Sequence, residues 1–453
     1  MTDVKYVVEE RFEDYREVLF ELLSQPSVSA TGEGMAECAD LLVETLVDHG
    51  FETVEQLPTS RYPLVYAERL VDESAPTVLF YGHYDVQPPG DVDQWTTPAY
   101  EPTVRDGSIY ARGSGDNKGQ LLTHAFAMDA LDAAGAEVTA NVKLFIEGGE
   151  ESGSKGLINY FGDDPDRLSD VDLVYVADGP MHRSRRPTLI YGNRGILSVQ
   201  LDHRTAADDL HSGNFGGPVP NAANELVGLL ATAFEGDQAA IEGFYDDMMI
   251  TEADREMIAE IPLDEGAIKE ELGLDRFATE TAYYERLLLE PTLTINGITG
   301  GYGGEGMKTI IPNEATAKLD MRLVPNQDPD KIFELVEAHF HEHASDVEVT
   351  KLGTFPPMKT PLDTPAADVI LEAFRDVWDL EPVEMPLLGG SLPAAHFREN
   401  LDVPVLVVPY ANPDQGNHSP DEHIDVGCFR KGIEVSAAFM RSYGSDSTVA
   451  GDE

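Results

Sequence analysis

Five side chains of metal-binding types stand in polar or glycine-rich segments spread along the chain: His83, Asp116, Glu151, Asp178 and His418. Two imidazoles and three carboxylates form a ligand set that suits zinc, cobalt or manganese. A single catalytic zinc usually takes only about three ligands from the protein. Two metal ions that share one carboxylate account for all five side chains, so the sequence predicts a dinuclear metal site.

Two further carboxylates stand beside these ligands. Asp85 lies two residues after His83, and side chains at alternate positions of an extended segment point the same way. Asp85 is therefore suited to orient the His83 ring. Glu150 directly precedes Glu151, and neighbouring carboxylates repel each other unless a cation is present. We expect one of the two to bind metal while the other carries a proton during catalysis.

Each of these motifs, taken alone, could also have a purely structural role. The acidic segments fit solvated turns of a very acidic protein, and Gly113–Gly119 invites comparison with a phosphate-binding loop. That loop lacks the Gly-Lys-Ser/Thr ending of a P-loop, which argues against nucleotide binding. The histidine cluster His339, His341 and His343 does not have the spacing of His-Glu-x-x-His, so we interpret it as a solvated helix end.

The segments that carry the candidate ligands follow short apolar runs. Runs typical of buried strands cover Thr77–Tyr81, Val142–Ile146, Leu173–Val176 and Val405–Val408. Helix-like stretches alternate with such runs or precede them, for example residues 5–25, 35–49 and 120–134. This alternation predicts an α/β fold with a mostly parallel central sheet and helices on both faces. In such sheets functional loops lie at the carboxyl ends of the strands.

A different pattern begins near residue 194. There the sequence predicts strands at 196–203, 292–298, 316–324 and 347–352, and helices at 221–234 and 329–343. We interpret 194–355 as an inserted α+β lid and dimerisation domain. The catalytic domain is then formed by 1–193 and 356–443. The tail at 444–453 is rich in Ser, Asp and Gly and is expected to be disordered.

The charge balance excludes several classes of partner. The chain has 31 basic and 83 acidic residues, which gives a net charge of 31 − 83 = −52. Such a surface repels nucleic acid and anionic membranes, and no apolar run approaches the roughly 20 residues that span a bilayer. The acids are spread along the whole chain, which favours adaptation to high salt over local steering of a substrate.

The compartment is inferred from the cysteines and the first residues. Cys38 and Cys428 are the only cysteines, and they are far apart in sequence. We interpret them as free thiols in a reducing compartment. The acidic segment Met1–Phe12 lacks the basic and apolar regions of a signal peptide. These observations predict a cytoplasmic protein.

Taken together, the motifs resemble a known family over about residues 5–440. It is the dinuclear zinc peptidase and deacylase family that includes acetylornithine deacetylase, succinyl-diaminopimelate desuccinylase, glutamate carboxypeptidase and carnosinase-type dipeptidases. The resemblance implies that His83 and Asp178 are terminal ligands of one metal, and Glu151 and His418 those of the other. It implies that Asp116 bridges both ions and is followed by a cis peptide bond.

The same resemblance assigns the groups around the ligands. Asp85 is expected to orient His83, and Glu150 is expected to be the general base. Asn117 departs from the Asp or Gly that many members carry, and we expect no effect of this difference on metal binding. The ions are expected to be zinc, with cobalt or manganese as alternatives.

The predicted lid domain also resembles the family, and most closely its carnosinase-type branch. Leu210-His211-Ser212-Gly213 resembles the lid motif whose histidine reaches the partner subunit's active site. The segments around Thr309 and Arg322 resemble those that bind the substrate carboxylate, and Gly389–Pro393, with Ser391, resembles a substrate-binding loop. The resemblance implies a homodimer formed through the lid.

The expected function is two-metal hydrolysis of the amide bond of dipeptides or similar small substrates with a free C-terminal carboxylate. The first alternative is an N-acyl-amino-acid deacylase that uses the same site. A more remote alternative is a catalytically silent metal-binding dimer scaffold. Glu150 argues against the scaffold, because a pure binding site does not need a base beside its ligands.

Overall fold

The structure is a computed structural model that describes residues 3–164 and 166–445. The predicted disordered tail at 444–453 lies outside the described residues from residue 446 onward. No helix within the described ranges is long and apolar enough to cross a membrane.

The secondary structure alternates strands and helices along much of the chain. The strands are β1 Thr53–Leu57, β2 Leu64–Arg69, β3 Thr77–His83, β4 Thr103–Arg105, β5 Ser108–Tyr110, β6 Asn141–Glu147, β7 Leu173–Val176, β8 Thr188–Ile190, β9 Gly192–Asn193, β10 Gly195–Arg204, β11 Leu210–His211, β12 Phe234–Glu235, β13 Gln238–Ala239, β14 Thr292–Gly300, β15 Ile310–Ile311, β16 Glu314–Leu323, β17 Glu348–Phe355, β18 Met358–Lys359, β19 Val383–Met385, β20 Val405–Val407 and β21 His423–Asp425. The α-helices are α1 Val4–Ser24, α2 Met35–Asp48, α3 Lys118–Ala134, α4 Lys155–Asp163, α5 Ser212–Phe215, α6 Ala222–Thr232, α7 Glu252–Glu260, α8 Glu265–Leu272, α9 Pro329–His343, α10 Pro365–Trp378, α11 Ala394–Leu401 and α12 Val426–Ser442.

The chain divides into two compact units. The first comprises Met1–Tyr191, Thr360–Met385 and His396–Glu453, and the second comprises Gly192–Lys359 and Pro386–Ala395. All five candidate metal ligands belong to the first unit, whereas His211, Thr309, Arg322 and Ser391 belong to the second.

The first unit is built on an eight-stranded sheet with the order β1-β2-β6-β3-β7-β20-β8-β19. Strand β3 pairs in parallel with β6 on one side and with β7 on the other, and β20 continues the parallel arrangement next to β7. Every residue of β3, β6 and β7 is buried. Strands covered on both faces need continuous apolar runs, which is why these segments could be recognised in the sequence. The predicted α/β fold with a mainly parallel sheet is confirmed.

The second unit is built on a four-stranded antiparallel sheet with the order β14-β16-β10-β17. Buried and partly buried residues alternate along β10, as expected for a sheet with one face in a core. Helices α6 and α9 contribute apolar residues to that core, where side chains of α6 and α9 such as Leu226 and Val336 cluster with strand residues such as Val199. The strands and helices predicted between 194 and 355 are all present.

Candidate metal centre

The candidate ligands follow neighbouring parallel strands. His83 is the last residue of β3, Glu151 lies in a short 3-10 helix just after β6, and Asp178 lies two residues after β7. Because β3 pairs with both β6 and β7 in parallel, the carboxyl ends of these strands meet at one edge of the sheet. This edge of the first unit therefore brings the three candidate ligands close together.

Two groups of potential ligands form there, and they share one carboxylate. His83, Asp116 and Asp178 form the first group, and Asp116, Glu151 and His418 form the second. Within each group the ligand atoms all lie within 4.8 Å of one another. The structure therefore brings together all five side chains that the sequence singled out.

Each oxygen of Asp116 faces a different imidazole. Asp116 Oδ1 lies 3.1 Å from His83 Nε2, and Asp116 Oδ2 lies 3.1 Å from His418 Nε2. A second carboxylate also lies near each imidazole nitrogen: Asp178 Oδ2 is 3.7 Å from His83 Nε2, and Glu151 Oε2 is 3.2 Å from His418 Nε2. This geometry suits one carboxylate shared between two ions.

A buried glutamate supports the loop that carries Asp116. Glu422 Oε1 accepts hydrogen bonds from the backbone N–H groups of Gly113, Gly115 and Asp116 at 3.0 to 3.1 Å. Glu422 Oε2 accepts a hydrogen bond of 2.7 Å from the Arg112 guanidinium. Since Glu422 follows His418 by four residues, this single carboxylate connects the loops that carry two of the ligands. The peptide bond after Asp116 is cis, as the family resemblance implied.

The partner of His83 differs in detail from the expectation. His83 Nδ1 lies 3.0 Å from the backbone carbonyl oxygen of Asp85 and 3.5 Å from the Asp85 carboxylate. The Asp85 carboxylate accepts hydrogen bonds from the backbone N–H groups of Glu150 and Glu151, each at 3.1 Å. Asp85 therefore orients the imidazole largely through its main chain, and its side chain holds the turn that carries both glutamates.

Two amide side chains contact the ligands directly, and sequence reasoning missed both. Asn117 Nδ2 donates hydrogen bonds to Asp178 Oδ1 at 3.0 Å and to the Ala177 carbonyl oxygen at 2.7 Å. Gln87 Nε2 donates a hydrogen bond to Glu151 Oε2 at 2.9 Å. The expectation that Asn117 does not affect metal binding did not take this contact into account. Its position next to the predicted bridging residue was the available signal.

The approach of Asn117 to β3 requires a glycine. A Cβ atom on Gly82 would lie 2.8 Å from Asn117 Oδ1, which is closer than carbon and oxygen can pack. The glycine between Tyr81 and His83 thus permits the ligand strand and the Asp116–Asn117 turn to lie side by side.

The electrostatics of the centre favour positive charge. Burial lowers the pKa of His83, but hydrogen bonds with Asp116 and Asp85 and the neighbouring carboxylates outweigh burial and raise it well above its usual value. Hydrogen bonds with Asp116 and Glu151 raise the pKa of His418 to about 10. Burial raises the pKa of Asp116, but its hydrogen bonds with the two imidazoles prevail and hold it well below the ordinary range.

The pKa values of two other carboxylates, Asp178 and Glu150, are shifted in the opposite direction. Burial, helped by the charges of Asp116 and Glu151, raises the pKa of Asp178 to about 7. Burial, followed by the charges of Asp178 and Glu151, raises the pKa of Glu150 well above its ordinary value. A divalent cation would offset this crowding of negative charge and would take the place of protons on the imidazoles, since metal ligands must be deprotonated. The donor set therefore fits two divalent ions.

The four residues predicted in the second unit fall into two pairs. Arg322, on β16, donates a hydrogen bond of 2.9 Å from its guanidinium to Ser391 Oγ, and Ser391 Oγ donates one of 2.7 Å to the Arg194 carbonyl oxygen. His211 and Thr309 are exposed and lie on neighbouring segments, because the Ser212 N–H bonds to the Thr309 carbonyl oxygen at 3.0 Å. The His211 imidazole accepts a hydrogen bond of 3.0 Å from the Gly213 N–H.

Comparison with known proteins identifies the family. Residues 79–442 match the sequence profile described as Peptidase family M20/M25/M40. The chain belongs to this peptidase family.

Two curated relatives are dipeptidases. The Beta-Ala-His dipeptidase of Homo sapiens is 32% identical over 405 residues, which cover 85% of this chain and 79% of the human protein. The Cys-Gly metallodipeptidase dug1 of Schizosaccharomyces pombe is 28% identical over 97% of this chain and 98% of the yeast protein. These relatives agree with the resemblance to the carnosinase-type branch.

Solved structures show the same fold. The M20 family metallo-carboxypeptidase Sso-CP2 from Sulfolobus solfataricus has a TM-score of 0.90 and 34% identity, covering 95% of this chain and 99% of that one. The dipeptidase Dug1p from Saccharomyces cerevisiae has a TM-score of 0.86 and 25% identity, covering 98% of each chain. The match extends along nearly all of both proteins, so it includes both units.

Proposed function

We propose that this chain is a two-metal dipeptidase that hydrolyses the amide bond of small peptides with a free C-terminal carboxylate. The observation that carries the proposal is the pair of ligand groups that share Asp116, with Glu150 directly beside one of the ligands. The dipeptidase names of the relatives support this class of substrate.

His83, Asp116 and Asp178 would hold one ion, and Asp116, Glu151 and His418 the other. We expect these ions to be zinc, with cobalt or manganese as alternatives. When bound, they would lower the pKa of a water molecule and polarise the substrate carbonyl. Glu150 accepts the proton of the attacking water and returns it to the leaving amine. Its backbone N–H is held by the Asp85 carboxylate, which fixes the turn from which the base acts.

The substrate groups are proposed from the second unit. Arg322 presents a planar fork of donors that matches a carboxylate with two parallel hydrogen bonds. The Ser391 hydroxyl proton is directed to the Arg194 carbonyl oxygen, so Ser391 acts on the carboxylate by holding Arg322. Thr309 is proposed as a neighbouring contact, and His211 as the group that stabilises the oxyanion from the partner subunit.

A deacylase that removes an acyl group from an N-acyl amino acid could use the same residues. The dipeptidase hypothesis is favoured because the curated relatives compared above are dipeptidases. A silent metal-binding scaffold is disfavoured by Glu150, whose pKa is raised by burial and by neighbouring carboxylates. Glu150 is in neither ligand group. A carboxylate with a raised pKa is suited to proton transfer rather than to metal binding.

A homodimer formed through the second unit is also proposed. Strand β14 lies at one edge of the four-stranded sheet, and Ile295 and Ile298 on it are 37% and 52% exposed. An open edge strand with exposed apolar side chains is suited to pair with a second copy.

The setting proposed for the enzyme is the cytoplasm of a cell that works at high salt. The net charge of −52 supports this, because dissolved salt screens the mutual repulsion of the acids. The same charge disfavours nucleic acid and anionic membranes as partners.

The deciding experiment is a parallel assay of metal-loaded enzyme in molar salt and in dilute buffer. The substrates are β-alanyl-histidine, cysteinyl-glycine and a set of N-acetyl amino acids. We expect hydrolysis of at least one dipeptide, with faster turnover and a higher melting temperature in molar salt. Cleavage of the N-acetyl amino acids alone would replace the dipeptidase proposal by the deacylase, and a melting temperature independent of salt would remove the salt argument.

A further inference from the structure

Gln120 is a fully buried amide in the first turn of α3. It lies four residues after Asp116, and its amide group forms hydrogen bonds with backbone groups rather than with the ligand side chains. Its side chain nevertheless contacts three separate segments of the first unit, and two of these segments carry candidate ligands.

Both ends of the Gln120 amide are fully used. Gln120 Nε2 donates hydrogen bonds to the carbonyl oxygens of Gly115 at 2.8 Å and Gly179 at 3.0 Å. Gln120 Oε1 accepts hydrogen bonds from the backbone N–H groups of Tyr410 at 2.6 Å and Ala411 at 3.2 Å. A primary amide has two donor hydrogens and two acceptor lone pairs, so this one side chain satisfies four backbone groups.

The two donor contacts lie next to metal ligands. Gly115 directly precedes Asp116, and Gly179 directly follows Asp178. The Gly179 N–H also donates a hydrogen bond of 2.6 Å to Asp178 Oδ1. By holding both glycine carbonyls, Gln120 fixes the separation of two loops whose carboxylates belong to the first ligand group.

The acceptor contacts tie the same loops to a third segment. The Ala411 carbonyl oxygen accepts a hydrogen bond of 2.8 Å from the Met181 N–H, and Pro180 forms a parallel bridge with Ala411. The segment then continues from Ala411 toward His418. Gln120 is thus the point at which the segments before His418, after Asp178 and before Asp116 are fastened together.

We infer that Gln120 is a positioning residue of the metal centre, which holds Asp116 and Asp178 at the spacing that one ion requires. The inference rests on the two-metal function proposed above. Residues that orient metal ligands typically contribute about 10-fold to 100-fold to metal affinity. Neither a carboxylate nor an apolar side chain can replace the amide, because two acceptors and two donors must be satisfied at once.

The plain structural alternative is that Gln120 only fills the core. The alternatives differ in what a substitution does to metal binding as opposed to folding. A core role lowers the melting temperature of metal-free and metal-loaded protein by the same amount. A positioning role also reduces the gain in melting temperature on metal addition, because that gain follows the affinity of the folded protein for the ion.

The test compares Gln120→Met and Gln120→Glu with Thr123→Val as a matched control. Methionine keeps the length and removes all four hydrogen bonds, whereas glutamate keeps the acceptor for Tyr410 and Ala411. Thr123 is also buried in α3, one turn further on, and its hydroxyl donates a hydrogen bond to the Gln120 carbonyl oxygen. Zinc affinity is measured by competition with a chromophoric chelator, and melting is followed with and without zinc.

We expect the wild type to bind two zinc ions, and we expect Thr123→Val to bind them with the same affinities as the wild type. Gln120→Met is expected to bind one ion at least about 10-fold more weakly and to gain less in melting temperature from zinc. Gln120→Glu is expected to have a zinc affinity between those of the wild type and Gln120→Met. If Gln120→Met does not fold, the comparison is made with Gln120→Glu alone. Wild-type zinc affinity at both sites in a folded Gln120 variant overturns the inference. Failure of wild type itself to bind two ions contradicts the proposed function instead.

Discussion

The two units of this protein differ in how firmly their candidate functional residues are held by neighbouring side chains. In the first unit the ligands are fastened by other side chains: Glu422 holds the Asp116 loop, Asn117 holds Asp178, and Asp85 holds the turn with Glu150. In the second unit His211 and Thr309 are exposed. Arg322, by contrast, donates a hydrogen bond to the Ser391 side chain.

This difference follows from the chemistry that each set must perform. Ligand groups that crowd several carboxylates cost free energy unless their positions are fixed and a cation offsets their charge. Groups that meet a substrate need access to it, and exposure provides that access. The first unit is therefore expected to tolerate substitution poorly at the supporting residues, whereas the second is expected to respond mainly in substrate affinity and choice.

The largest single effect is expected at the proposed base. Glu150→Gln removes the proton acceptor and keeps the shape of the side chain, so turnover should fall by about 10²-fold to 10⁴-fold. Metal analysis should still give two ions per chain, because Glu150 is not in either ligand group. Glu101→Gln, at an exposed position of the same unit, is the matched control, and turnover near the wild-type rate in Glu150→Gln would assign the base to another group.

The next effect concerns His211, which is exposed in its own chain. His211→Ala should lower turnover by about 10²-fold to 10³-fold if it stabilises the oxyanion. Mixing this variant with Glu150→Gln should restore about a quarter of the wild-type rate, since about half of randomly mixed dimers are mixed and each has one complete site. If verified mixed dimers stay inactive, His211 does not act across the dimer.

A smaller effect is expected for the carboxylate contact of Arg322. Amidation of the dipeptide C-terminus should lower kcat/KM of the wild type by roughly 30-fold or more, because breaking such a charged pair costs about 2–5 kcal/mol. Arg322→Ala should lose this discrimination, and Arg322→Lys should restore it only in part. Lys318→Ala, an exposed position on the same strand, should discriminate as wild type does. Equal cleavage of free and amidated dipeptides by the wild type would remove Arg322 as the carboxylate contact.

The smallest effect concerns a buried histidine of the first unit, His124. His124 in the first unit bonds through Nδ1 to Ser436 Oγ at 3.0 Å, and burial lowers its pKa to about 3. His124 is therefore expected to oppose its own protonation in the folded chain.

Because His124 is neutral when folded and takes up a proton when unfolded, it destabilises the protein as pH falls from about 6.5 toward about 3. His124→Gln should reduce the loss of unfolding free energy by up to about 1.4 kcal/mol per pH unit in that window. Denaturant melts between pH 4 and 7 check this, and an unchanged pH slope in His124→Gln would contradict the assignment.

The candidate ligands could be proposed from the sequence because the signal for each one is local. His83, Glu151 and Asp178 follow apolar runs that correspond to β3, β6 and β7, and the end of a buried parallel strand is recognisable from a single segment. The order of strands in the parallel sheet then places these ends together. The change in the order of predicted strands and helices after residue 194 likewise made the second unit recognisable.

The supporting contacts could not be predicted, because they join residues that are far apart in sequence. Arg112 and Glu422 form a buried ion pair across 310 positions, and Gln120 reaches Tyr410 across 290. No periodicity or spacing in one chain encodes such pairings. The same limit applies to Pro386–Ala395, which packs with the second unit although the neighbouring residues on both sides belong to the first.

The central claim is that the first unit binds two catalytic metal ions for dipeptide hydrolysis. Its most direct test is a titration of metal-free wild-type protein with zinc, cobalt or manganese, in which bound metal and dipeptide hydrolysis are measured in the same samples. We predict that binding ends at two ions per chain and that the rate reaches its plateau at the same ratio. Binding that ends below two ions, or two bound ions without hydrolysis of any dipeptide with a free carboxylate, would contradict the claim.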